Sequence, residues 1–179
     1  MSSHNPTRRQ GLLGGSAVVL AALLGLPLSG CFQPVYAPLA GGGNVSDELQ
    51  AIAIDPIHDR IGHYLENELI FALNGTGSKV VPKYRLIVNL RENVQTPLLD
   101  TVTGYPSSAT VVVTADYALT PSQGGNAIFR ESATVVASYD RTSQRFTNIR
   151  ASRDAEIRDS RLLAEQIRTN IAAFFAARG

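Results

Sequence analysis

The sequence has no tryptophan, one methionine and a single cysteine, Cys31. A lone cysteine cannot form an intramolecular disulfide, so whatever folds here does so without covalent staples. It also excludes a thiolate-rich metal centre, which needs several cysteines. With little methionine and no tryptophan, nothing suggests an aromatic cage. Of the three histidines, only His58 and His63 follow Cys31. Five positions apart, they do not share one side of a helix, and no third histidine joins them, so no metal is expected. Charge of one sign is missing too. Sixteen basic and 15 acidic residues leave +1, which excludes the strongly basic balance of a generic nucleic-acid binder. Gly41-Gly42-Gly43 does not join a strand to a helix as a phosphate loop must, and no nucleophile elbow surrounds any serine. No fixed-period repeat is visible. Nothing argues for catalysis or a cofactor, and a non-enzymatic role is expected.

One long uncharged run is present, Leu12 to Leu28. Arg8 and Arg9 precede it; Ser29, Gly30 and Cys31 end it. That is the three-part layout of a secretory signal. Seventeen residues are marginal for a membrane span, and Gly14, Gly15, Gly25 and Pro27 weaken a stable helix there. Thr7-Arg8-Arg9-Gln10-Gly11-Leu12-Leu13 also looks faintly like a twin-arginine export signal. Leu28-Ser29-Gly30-Cys31 resembles a bacterial lipobox, which implies cleavage before Cys31, a diacylglycerol on its thiol and a further acyl chain, such as palmitate, on the new amine. One acyl chain binds membranes with an association constant on the order of 10⁴ M⁻¹, and several make the attachment lasting. Residues 1–30 are therefore expected to be a signal peptide, and 31–48 a lipidated N-terminus and tether rich in Pro34, Pro38 and Gly41-Gly42-Gly43. Phe32, with no Asp near it, favours the outer membrane by resemblance to enterobacterial sorting rules.

Residues 49–179 read as one domain. Leu49–Ile57 reads as a first strand ended by Pro56. A helix follows from about Asp59 to Leu73, with Ile61, Leu65, Leu69 and Ala72 at helical spacing, Asp59 as its cap and Asn74-Gly75 as a left-handed stop. Tyr84-Leu86-Val88-Leu90 alternates with Arg85-Ile87-Asn89-Arg91, a half-buried strand. Gln95 to Ser108 reads as a long loop. From Thr110 to Thr120, Val111, Val113, Ala115, Tyr117 and Leu119 take one face. After the turn at Pro121–Asn126, Phe129, Ala133, Val135 and Tyr139 do the same on a fourth strand. The chain closes on a helix from about Ser152 to Ala177, capped by Ser152 or Asn148 and carrying Ile157, Ala164, Ile167, Ile171 and Phe174. The order β-α-β-β-β-α predicts an α+β two-layer sandwich: a four-stranded, mainly antiparallel sheet with two helices packed on one face.

The candidate ligand contacts are arginines. Arg141, Arg145, Arg150 and Arg153 gather where the last strand leads into the final helix, and Arg85 and Arg91 share the outward face of the second strand. Guanidinium forks match phosphate and carboxylate oxygens, so such residues suit an anionic lipid headgroup. Asp140, Asp154 and Glu156 are the nearby carboxylates that would otherwise balance them.

The chain resembles the LptE family in Gly30-Cys31-Phe32-Gln33-Pro34-Val35-Tyr36, Tyr84–Val88, Ala115–Leu119 and Ala137–Asp140. Arg153-Asp154-Ala155-Glu156 and Leu162–Ile167 are similar to the family's last helix. The resemblance implies an outer-membrane lipoprotein on the periplasmic side, the plug and assembly partner of the LptD β-barrel in lipopolysaccharide transport. Lipopolysaccharide would then be the ligand of Arg85, Arg91, Arg141, Arg145 and Arg150. The competing expectation is an auxiliary lipoprotein of an ABC-type lipid transporter.

Overall fold

The computed structural model describes residues 44–75, 80–96, 104 and 107–178. The chain divides into two units, Met1–Gln33 and Pro34–Gly179, and all described residues belong to the second. The signal peptide, Cys31, the tether up to residue 43 and most of the Gln95–Ser108 loop lie outside them.

Alternation builds the sheet. In β3 (Ser108–Pro121) every second residue from Ala109 to Leu119 is buried and the residues between are half-exposed. β2 (Tyr84–Gln95) and β4 (Phe129–Asp140) pair with β3 on either side, both antiparallel, with Leu86 opposite Leu119 and Ala115 opposite Ala133. β1 (Ile52–Ile54) adds to the free side of β2 in parallel, through Ile52↔Tyr84 to Ile54↔Leu86. The order is β1-β2-β3-β4, an open mixed sheet. A parallel β1–β2 pair needs a crossover rather than a hairpin. α2 (Arg60–Leu73) supplies it, burying Ile61, Leu65, Leu69 and Leu73. α3 (Arg145–Arg178) lies beside it, burying Leu163, Ala164, Ile167, Ile171, Ala172 and Phe175. Burial of each such large side chain is worth about 1.5–3 kcal/mol, so the stripe docks α3 on the sheet. At the far end Phe129 stacks on Phe174 at 4.8 Å, and Tyr84 meets Phe175 at 5.2 Å. None of the described helices is long and apolar enough to cross a membrane.

The two-layer α+β expectation holds, with four differences. A third, short helix, α1 (Val45–Gln50), occupies the end of the expected tether and the start of the expected first strand. Asn44 caps it by accepting from the Ser46 N–H at 3.1 Å, and Val45 and Leu49 are buried. The first strand shrinks to three residues because Leu49 and Gln50 are helical. Asp59 makes no side-chain cap to α2, and Asn74 ends that helix at φ −118° rather than left-handed. α3 starts seven residues before Ser152, and Asn148, inside it, ties down the preceding turn. Its side-chain oxygen accepts from the Thr142 N–H at 2.8 Å and its amide donates to the Thr142 carbonyl at 2.8 Å.

Candidate functional site

The corner between β1 and α2 is tightly built. Ile57 is buried, and its N–H donates to Glu66 across the first turns of α2 at 3.3 Å. A Cβ on Gly62 would come within 2.8 Å of the Ile57 side chain and 3.0 Å of its carbonyl oxygen, so only glycine fits. Asp59 takes φ 73°, ψ 167°, a region nearly confined to glycine that costs other residues about 1–3 kcal/mol. This corner delivers Arg60 to the surface between α2 and α3.

There Arg60 meets Glu156 of α3. Arg60 Nε and Nη2 donate to the two carboxylate oxygens of Glu156 at 2.8 and 2.5 Å, and Ser152 Oγ donates to the same carboxylate at 3.4 Å. Glu156 is 1% exposed, whereas the Arg60 side chain is 56% exposed. The Glu156 hydrogen bonds, and then its charge, hold the Arg60 guanidinium above its usual range. One turn on, Ser160 donates to the Glu156 carbonyl at 2.8 Å, and Asp159 is wholly buried. Neither Asp159 carboxylate oxygen is hydrogen-bonded to a described residue. Burial pushes its carboxyl up to about 6; the Arg158 charge and the Ala137 amide pull the other way, and Glu92 of β2 adds to the rise. Glu92 is itself raised, first by burial and then by Glu156.

Beyond this polar layer the sheet end and the first turns of α3 enclose an open concavity of about 490 Å³, within the ~300–1,000 Å³ range of small-molecule sites. Arg60, Arg141, Arg145 and Arg153 line it, with Tyr139 and Asn148. Two of the three carboxylates expected to neutralise the cluster are engaged with other groups, Glu156 with Arg60 and Asp154 with Arg158 at 3.1 Å, and the third, Asp140, makes no ion pair with a described residue. Among the described residues, Arg141, Arg145 and Arg153 have no ion-pair partner. Phe146 and Ile149 stand exposed beside them, at 71% and 41%. The site therefore offers three uncompensated guanidinium groups, one fixed guanidinium and an apolar ledge, which suits an oxyanion carried on an apolar body.

The expected arginines divide. Arg141 and Arg145 come together in the concavity. Arg150 is exposed on α3 outside its lining. Arg85 and Arg91 lie on the uncovered face of the sheet, each in an ion pair. Arg85 Nη2 reaches both oxygens of Asp55 at 2.9 Å, and Arg91 Nη2 reaches Asp116 at 2.7 Å. Arg60 was not anticipated, since nothing local marks a residue that meets its partner 96 positions later. On that same uncovered face Thr110 bonds Ser138 at 3.0 Å and Thr114 bonds Thr134 at 3.1 Å, with the Val112–Val136 pair between them and Ile87 exposed nearby, so the face is mixed.

Comparison with known proteins adds the following. The family model LptE, described as lipopolysaccharide-assembly, matches residues 49–171. No curated protein sequence matches the chain. Among solved structures, a lipoprotein from Caulobacter crescentus superposes with a TM-score of 0.62 at 22% identity, over 75% of this chain and 97% of that one. A minor lipoprotein from Acinetobacter baumannii gives 0.52 at 22% identity, over 68% and 88%. Lipoprotein B from Nitrosomonas europaea gives 0.51 at 15%, over 70% and 83%. At these identities the three structures speak to the fold.

Proposed function

Because the chain belongs to the LptE family of lipopolysaccharide-assembly proteins, we propose that it is the non-enzymatic lipoprotein partner of an LptD-like outer-membrane β-barrel. In this reading Cys31 carries the lipid anchor, the domain hangs on the periplasmic side of the outer membrane, and the arginine concavity contacts lipid A. The family match across residues 49–171 is the observation that carries it. The description of the solved relatives as lipoproteins supports the anchor. The sheet face left bare by the helices supports the barrel partnership. Its threonine and serine pairs and its Arg85–Asp55 and Arg91–Asp116 ion pairs, with exposed Ile87 and Val136 among them, present a largely polar surface with a small apolar centre, suited to contact with the inner wall of a barrel.

In this reading the lipid contact falls to Arg141 and Arg145 with Arg153 beside them, because these line the concavity, whereas Arg85, Arg91 and Arg150 lie outside its lining. Charge-assisted pairs of guanidinium with phosphate are worth roughly 1.5–3 kcal/mol each. Reversing both charges in Arg141→Glu/Arg145→Glu should weaken binding to lipid A vesicles by at least ~10-fold, measured by vesicle co-sedimentation. The reversal Arg85→Glu should leave that binding within about twofold, because Arg85 lies on the uncovered face of the sheet, outside the lining of the concavity. Unchanged binding in the double variant would remove the concavity from the function.

A further inference from the structure

Glu156 presents a contradiction. A carboxylate beside an oxyanion site repels the ligand, yet here one is buried to 1% exposure behind Arg60 and Ser152, two residues that line a concavity with four arginines. It is not there to balance the cluster, since it reaches Arg60 alone among them. The corner before Arg60 adds a second cost, the positive φ of Asp59, with no side-chain cap to offset it. A third constraint is Gly62, where any side chain would collide with Ile57. Three unfavourable or restrictive features thus converge on the placement of one guanidinium.

We propose that Glu156 is a positioning residue, holding Arg60 as the pre-oriented guanidinium of an oxyanion site whose ligand is a phosphate monoester. This rests on the reading of the concavity as an anion site and deepens it. With Nε and Nη2 both donating to Glu156, the Nη1 group remains for the ligand. Its orientation is set before anything binds, so no rotamer freedom is lost there on binding. Arg141, Arg145 and Arg153 have no such tether among the described residues, and each must be ordered by the ligand. The division of labour is one fixed guanidinium, whose remaining Nη1 edge sets the position of the phosphate, and three adaptable ones that supply charge. A dianionic monoester, with three oxygens to share, fits such a set better than a carboxylate with two.

The sign of one substitution tests this. Removing the charge in Glu156→Gln takes a negative group away from the site, so electrostatics alone predicts tighter anion binding. Positioning predicts weaker binding, because a neutral amide holds the guanidinium poorly. Full-length protein in detergent would be titrated with inorganic phosphate, and separately with phosphatidylcholine vesicles with and without lipid A. Glu156→Gln should weaken binding by ~5-fold or more in whichever arm binds. Arg60→Lys, which keeps the charge but has no second nitrogen to offer the ligand once it pairs with Glu156, should weaken it by a similar factor and serves where the first variant does not fold. Binding to lipid A vesicles but not to phosphate assigns the oxyanion to a lipid headgroup; the reverse assigns it to a free phosphate. Tighter or equal binding in Glu156→Gln, or equal binding in Arg60→Lys, overturns the positioning role. If the double substitution Arg141→Ala/Arg145→Ala still weakens binding, the anion site survives that failure. Absence of binding in both arms overturns both.

Discussion

Replacing Asp159 by asparagine should stabilise the protein by about 2 kcal/mol at neutral pH, and the gain should vanish toward about pH 4. Asp159 sits on the buried face of α3 in line with Leu163 and Ala164, fully enclosed, with no well-formed hydrogen bond from a described residue to either oxygen and only a weak pull from the Ala137 amide. Burial lifts its carboxyl from 3.8 to about 6. Because the folded value lies above the unfolded one, the folded chain holds a proton through that window which the unfolded chain has released. Stability therefore falls as pH rises from about 4 to about 6, and above that the full penalty persists. At roughly 1.4 kcal/mol per pH unit the penalty is about 3 kcal/mol. A buried amide still lacks partners, which returns about 1 kcal/mol of it. Burial sets the rise, with a small addition from Glu92 on β2, while the Arg158 charge and the Ala137 amide oppose it; all three groups remain in the variant. Urea unfolding of both proteins between about pH 4 and pH 8 gives the difference directly. Parallel curves with no gap at neutral pH would mean that the Asp159 carboxylate is hydrated or paired.

The second large effect concerns attachment. Cys31→Ser should release the protein from the membrane fraction altogether. In the proposed reading Arg8 and Arg9, the uncharged Leu12–Leu28 run and Ser29-Gly30-Cys31 form a lipoprotein signal, and the only thiol in the chain carries the lipid. None of the described helices can take over as a span. Several acyl chains give stable anchoring, whereas the exposed Phe146 and Ile149 with their arginines offer only weak interfacial contact. Cell fractionation reads the outcome. Intact-mass measurement of the native protein should show a mature chain beginning at an acylated Cys31. A native product beginning at Met1, or a serine variant that stays with the membrane, would remove the anchor.

Much of the sheet was legible because burial repeats every second residue. Leu86 and Val88, the run from Val111 to Leu119, and Phe129, Ala133 and Val135 all face the helices as their alternation implies. α2 was legible for the same reason at helical spacing. α1 was not, since six residues show less than two full turns of pattern and follow a stretch of prolines and glycines. Its one signal was Asn44 ahead of Asp47 and Glu48, a cap with acidic residues in the first turn. The start of α3 was missed because Arg145–Ala151 carries no stripe, only polar residues around exposed Phe146 and Ile149. Within α3, Glu156, Asp159 and Ser160 continue the spacing of Leu163, Ala164 and Ile167 back toward the N-terminus. Polar residues at core positions read as solvent-facing unless that spacing is followed through them. Of the candidate site, Arg141, Arg145 and Arg153 were visible as a local cluster. Arg60 and Glu156 were not, because their meeting depends on how two helices pack.

Membership of the LptE family implies a partner, and the partner decides the account. Detergent-solubilised outer membrane carrying an affinity tag on the C-terminus of this chain should yield, by pull-down and mass spectrometry, a large LptD-like β-barrel in stoichiometric amount. Recovery of an inner-membrane permease complex instead, with no barrel, would contradict the proposed role.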